Sequence, residues 1–170
     1  GYQAWAAMGR QVRKGEKVYE DETPLQPLPG KAARVAIDSL VLGAAKDGVR
    51  AAVICPTMIY GRGRGAHPES IQVPRLIALA RKYGVPRHVG AGENVWSNVH
   101  IDDLVPLYLL ALNKAPAGAF YYAENGENSY RELAEASGRM LGMGGRTLPM
   151  PIDEAIAELG ESGAQFSFGS

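Results

Sequence analysis

An α/β layered fold is what this sequence predicts, and three observations carry the prediction. Short apolar runs of strand length alternate with helical patterns of ten or more residues from Lys31 onward. The helical patterns close on turn residues, at Asp47-Gly48, at Gly84-Val85-Pro86 and at Gly142 to Gly145. The run AAVIC (residues 51–55) is apolar throughout, as a strand covered on both faces of a parallel sheet would be.

Taken in order, Tyr2 to Val12 carries Ala4, Trp5 and Met8 on one side of a short helical pattern. Arg13 to Gly30 is polar and interrupted by Pro24, Pro27 and Pro29, which disfavour helix and predict a surface loop. Lys31 to Lys46 places Val35, Ile37, Leu40, Val41 and Ala44 at helical spacing, predicting a helix with a wide buried face. The strand at 51–55 follows, then a loop containing Gly61, Gly63 and Gly65, then a helix over Ser70 to Tyr83. Val89 and Val95 to Val99 read as short strands around the turn Gly90-Ala91-Gly92. Asp102 and Asp103 open an apolar helix, Leu104 to Leu112, as residues able to cap its amides and oppose its positive end. Because that helix is hydrophobic on nearly all sides, it is either fully buried or a surface for a partner. AFYYA (119–123) reads as a strand, and Ser129 with Glu132 forms a capping-box pattern ahead of a helix to about Leu141. Arg146 to Met150 and Ile152 to Leu159 read as a last strand and helix, before a polar tail over 161–170 expected to fray.

Bulk properties narrow the function classes. The 170 residues suit one domain with a real core, the 1–30 segment leading into an α/β part over 31–160. Eighteen Lys+Arg balance eighteen Asp+Glu, so charge gives no reason to expect nucleic acid or an anionic membrane as partner. The single cysteine, Cys55, excludes an internal disulfide and fits a reducing compartment. It reads as a small buried hydrophobe. No apolar run approaches the roughly 18 residues that a membrane helix needs, and in Gly1 to Gly15 the cations follow the apolar patch, unlike a signal peptide. The expectation is a cytoplasmic protein without membrane attachment. His67, His88 and His100 lack metal-ligand spacing, so no metal is expected.

Four segments, in order, resemble the extended short-chain dehydrogenase/reductase superfamily of NAD-dependent epimerase/dehydratase type. They are the Pro-rich loop DETPLQPLPG before a helix, the strand-loop VICPTMIYGRG, the turn-strand-helix start GAGENVWSNVHIDDL, and the closing strand with its capped helix, GAFYYAENGENSYRELAEASGRMLG. The resemblance covers most of Val18 to Gly142. It implies the C-terminal portion of an NAD(P)-binding Rossmann-like fold with its substrate-binding subdomain. The Gly-rich N-terminal βαβ units that hold the dinucleotide are lacking. The cluster GRGRGAH (61–67) follows a late strand and leads into no immediate helix, so it does not supply that turn.

Two departures from the family pattern bear on chemistry. The family's Tyr-x-x-x-Lys pair falls on Gly30 and Arg34, leaving no phenol to supply a proton. Arg34 retains the means to hold a ribose hydroxyl or phosphate, but it stays charged and cannot shuttle a proton. Where sugar-nucleotide members carry a diphosphate-binding arginine, this sequence has Trp96, followed by Ser97 and Asn98. An indole cannot replace bidentate phosphate contacts, which favours an apolar or aromatic substrate.

The resemblance assigns Arg34, Pro56, Thr57 and Ile59 to NAD or NADP, and Tyr60, Trp96, Ser97 and His100 to a small-molecule substrate. Pro56 to Tyr60 equally suits a proline-ended strand with Tyr60 packed under a loop. His100, beside Asp102 and Asp103, reads first as a structural hydrogen bond joining a strand end to a helix start. His67 and Glu69 read first as solvated loop residues. Three functional readings stand: an NAD(P)-dependent epimerase/dehydratase/reductase-like protein present here as a C-terminal portion, a non-catalytic NAD(P)-sensing or interaction module, and a fragment inactive by itself. Family analogy makes the helix over 31–46 a candidate homodimer interface.

Overall fold

A computed structural model describes residues 31–168; the short helix expected near the start, the Pro-rich loop and Gly30 lie outside the described residues. The chain alternates helix and strand as predicted. Helix α1 (Ala32–Gly43) tightens into a 3-10 turn at Ala44–Asp47, and Gly48 ends it in the left-handed conformation at φ 79°. Strands β1 (Ala52–Pro56) and β2 (Met58–Tyr60) follow with only Thr57 between them. Helix α2 (Gln72–Tyr83) ends on left-handed Gly84 and leads to β3 (Arg87–Val89) and β4 (Val95–His100). Helix α3 (Ile101–Lys114), β5 (Ala119–Ala123), β6 (Glu127–Ser129) and α4 (Tyr130–Met140) come next, then β7 (Leu148–Met150) and α5 (Ile152–Phe168). The backbone stays helical to Phe168, interrupted at Gly160 (φ 70°, ψ 167°), where the polar composition had predicted fraying.

Three small sheets organise these strands. β1 and β5 pair in parallel with Ala52 opposite Ala119 and Pro56 opposite Ala123. β2, β4 and β6 form the second sheet, β2 parallel and β6 antiparallel to the central β4. β3 pairs in parallel with β7. β2 was unforeseen, its residues having been read as part of a strand-loop segment.

Two apolar clusters hold the layers. Leu79, Val89, Met150 and Ala155 form one, joining α2, β3, β7 and α5, with Ile152, Ile156 and Leu159 against it. Val99, Leu104 and Ala123 form the other, with Ile54, Ile59, Ile101 and Leu107 packed around them. Burying Leu104, 3% exposed, contributes about 2 kcal/mol.

The burial expected of three elements is not met. No residue of α1 is fully buried; Ile37 is 54% and Leu40 76% exposed, while Val35, Val41 and Ala44 are half-buried. In α3 only Leu104 is buried, while Tyr108, Leu109 and Leu112 are exposed, so the fully buried alternative is not met. Cys55 is exposed as well, not a buried hydrophobe. Strand alternation sends Ile54 into the second cluster and Cys55 to the opposite face, where α1 covers it incompletely.

Candidate functional site at the strand ends

The carboxyl ends of β1 and β2 are fixed by a hydrogen-bonded corner. Thr57 donates both its backbone N–H and its Oγ1 hydroxyl to the carbonyl of Ala123, each at 3.1 Å, tying the β1–β2 junction to the end of β5. Beyond this corner the chain turns through Gly61 to Ser70, and the amide of Gly63 donates to the carbonyl of Pro68 at 2.7 Å. The loop arches over a cleft of about 360 Å³, whose lining includes Thr57, Ile59, Gly61, His67, Ile71 and Ile101. Two of the residues assigned from the sequence, Thr57 and Ile59, line it. His67 and Glu69, read as solvated loop residues, line it too. Ile71 and Ile101 carried no site signal in the sequence.

Tyr60, Trp96 and His100 share a different face. Alternation along β4 places Trp96, Asn98 and His100 on one side of the second sheet and Val95, Ser97 and Val99 on the other. Tyr60, opposite His100 in register, meets it edge to face with ring centroids 5.0 Å apart. Ser97 therefore does not join Trp96 and His100, and it pairs across the ladder with Glu127. Below Trp96, Asn98 is buried at 5% exposure and donates through Nδ2 to Oδ1 of Asn128 at 3.0 Å.

His100 is the structural group expected, with its role reversed relative to the aspartates. Its Nδ1 accepts the backbone N–H of Asp102 at 3.1 Å and so caps α3, while Asp102 and Asp103 stand in the first turn. Asp103 instead receives a hydrogen bond from Asn125 at 3.3 Å. The capping position one residue before the helix was readable as a signal.

Arg34 lies in α1, exposed, and acts on β1 electrostatically. Although Cys55 is exposed, partial desolvation holds its thiol above the ordinary value; Asp38 adds to this and Arg34 opposes it. Arg34 is thus within electrostatic range of the residue preceding Pro56. Among the described residues, no group of three His, Cys, Asp or Glu could hold a metal ion, and no helix is long and apolar enough to cross a membrane.

A second, larger cleft of about 490 Å³ runs along Gly92, Val95, Glu127 and Ser129. Its single cation, Arg131, is engaged, donating through Nε and Nη2 to the carbonyl of Ala91 at 3.1 and 2.6 Å. Glu132 is likewise committed, to the amide and hydroxyl of Ser129.

Chains with this arrangement of strand ends are known. Residues 9–122 match the family model described as "NAD dependent epimerase/dehydratase family". An uncharacterized protein of Schizosaccharomyces pombe is 34% identical over 149 residues, which cover 86% of this chain and 44% of that protein. The structure resembles dTDP-glucose 4,6-dehydratase from Bacillus anthracis in complex with NAD, with a TM-score of 0.68 at 21% identity, over 81% of this chain and 45% of that one. It also resembles UDP-glucose 4-epimerase from Thermotoga maritima with UDP-glucose, with a TM-score of 0.62 at 22% identity, over 81% of this chain and 46% of that one. These structural likenesses establish the α/β Rossmann-type architecture with parallel strands. This chain spans less than half the length of the curated relatives it matches, and it belongs to the NAD-dependent epimerase/dehydratase family.

Proposed function

We propose that this chain forms the substrate side, and one edge of the nicotinamide side, of an NAD(P)-dependent epimerase, dehydratase or reductase acting on a small organic substrate. The observation that carries the reading is the position of the cleft. It opens at the carboxyl ends of parallel strands, where open α/β sheets gather ligands, in a chain of this family.

The described residues fit the nicotinamide edge of such a cofactor. Pro56 and Thr57 form a firm rim at the end of β1, and Thr57 Oγ1 keeps acceptor capacity after donating to Ala123. The family pattern assigns Arg34, on α1 and outside the cleft lining, to a ribose hydroxyl or phosphate. A glycine-rich turn between a first strand and helix, the usual pyrophosphate cradle, does not occur among the described residues. Bound NAD(P) supplies a two-electron donor or acceptor. This chain's residues orient the substrate and exclude water: Ile59, Ile71 and Ile101 form the apolar wall, and Tyr60, Trp96 and His100 define the neighbouring face. Gly30 stands where the resemblance places a proton-donating tyrosine, so the proton must move through another group; His67 and Glu69 are the titratable side chains in the cleft. The same glycine favours a second reading, a module that binds NAD(P) and does not turn over.

The test uses the polypeptide that carries this sequence in full. It is titrated with NADH and NADPH while Trp96 fluorescence is followed, then assayed for cofactor oxidation with small carbonyl compounds. Saturable quenching with turnover is expected. Quenching without turnover would select the sensing module, and no response to either cofactor would refute both readings.

A further inference from the structure

We infer that the molecule held in the cleft beneath the Gly61–Ser70 loop is compact, uncharged and largely apolar, a carbonyl compound or alcohol without phosphate. The inference rests on reading this cleft as the substrate side. Three isoleucines and Pro68 make its walls, and Ile71 at its mouth is 61% exposed, an apolar side chain in water that a ligand would cover. Of the polar groups that line it, Thr57, Ser70 and Gln72 are neutral hydrogen-bonding partners, and His67 and Glu69 are the two titratable ones.

Charge argues against an anion. Among the described residues that line the cleft there is no lysine or arginine, and Glu69 contributes a carboxylate. Arg62 and Arg64 alternate with glycines in the same loop, but it is Gly61 and Gly63 that face the cleft, while the arginines are exposed and do not line it. The Gly63 amide is already given to Pro68, so it is not offered to a phosphate. A diphosphate here would meet isoleucine and carboxylate, losing its hydration without the cationic contacts that replace it. The volume, about 360 Å³, lies near the lower end of ligand clefts, which run roughly 300–1,000 Å³.

The experiment is an isotope-edited NMR titration of this chain with two probes, cyclohexanone and uridine diphosphate, reading the methyl signals of Ile59, Ile71 and Ile101. Cyclohexanone is expected to shift all three saturably, and Ile71→Ala, at an exposed position that spares the fold, to weaken that binding about five-fold. Uridine diphosphate is expected to leave them unmoved at the same concentrations. Shifts by uridine diphosphate at equal or lower concentration would overturn the substrate class while keeping the cleft as a ligand site. If neither probe moves these signals, the cleft itself fails, and the proposed function with it.

Discussion

Gly61 is where the candidate site is most sensitive to a single methyl group. Its backbone sits at φ 96°, a conformation L side chains rarely adopt, and a β-carbon there would lie within 2.9 Å of His100 Cδ2 and Cε1, closer still to Nε2. Gly61→Ala therefore acts twice. The backbone strain costs about 1.5 kcal/mol. Displacing the imidazole removes the α3 cap, about 1 kcal/mol, and the edge-to-face contact with Tyr60, about 1 kcal/mol. The expected total is about 3.5 kcal/mol. His100→Ala alone costs only the cap and the ring contact, about 2 kcal/mol. In that background Gly61→Ala should cost only the strain, so the double mutant should fall about 2 kcal/mol short of the sum of the singles. Urea denaturation of the four proteins, followed by tryptophan fluorescence, measures the cycle. Additivity within about 0.5 kcal/mol would refute the claim that Gly61 is required to make room for a capping histidine.

Other consequences follow from the same geometry. Ser129→Ala removes the hydroxyl that accepts the Glu132 amide and half of a capping box, and should cost about 1 kcal/mol in urea melts. In the wild type the amide and hydroxyl of Ser129 hold the Glu132 carboxyl below its ordinary value of 4.5, so its contribution is present above that pH and is lost as pH falls through the depressed value; Glu132→Gln should flatten this part of the stability profile. His88 is 5% exposed, and burial first, then Arg131, pushes its pKa below the ordinary 6.5. The unfolded chain then binds the proton more readily, so stability should fall as pH drops below about 6.5, and a His88→Gln variant that keeps the same slope would disprove this. Leu40, 76% exposed on the proposed α1 dimer face, should bear on association: sedimentation is expected to show concentration-dependent dimers that Leu40→Glu abolishes, and a monomer at all concentrations would end that proposal.

What was legible in the sequence was what is decided locally. The Ser129–Glu132 box spans three residues, and Gly48 and Gly84 mark helix ends because each helix must stop in a left-handed residue there. The runs at β1 and β5 were readable as strands by their composition, and their pairing is parallel as an α/β pattern demands. β2 was not readable because three residues have no period; Met58 to Tyr60 become a strand through pairing with Asn98 to His100, about forty residues away. Burial was misjudged at α1 and Cys55 for a related reason. Periodicity says that Ile37 and Leu40 share a stripe and that Cys55 belongs to an apolar run, but it does not supply what covers them. The candidate site divides in the same way. The family pattern brought Thr57 and Ile59 to notice, whereas Ile71 and Ile101 reach the cleft from two helix starts that only the fold brings together.

The distribution of packing also separates the two sides of the proposed site. The cluster built on Val89, Met150 and Ala155 is closed, with exposures of 1%, 1% and 0%. The cluster under β1 and β5 is closed on one face only. On the other, Phe120 and Tyr122 stack edge to face at 5.0 Å in half-buried positions, and no residue of the neighbouring α1 is fully buried. Helix α3 adds Val105, Tyr108, Leu109, Leu110 and Leu112 to the exposed apolar surface. Exposed apolar surface thus lies on both helices that flank the strand from which the proposed cofactor edge projects. Thr57 stands at the junction. Its paired hydrogen bonds to Ala123 couple the end of β5 to the start of β2. Displacement of the β1–β5 layer is therefore expected to reach the cleft through this corner, since Thr57 lines the cleft while no residue of the closed cluster behind β3 and β7 does.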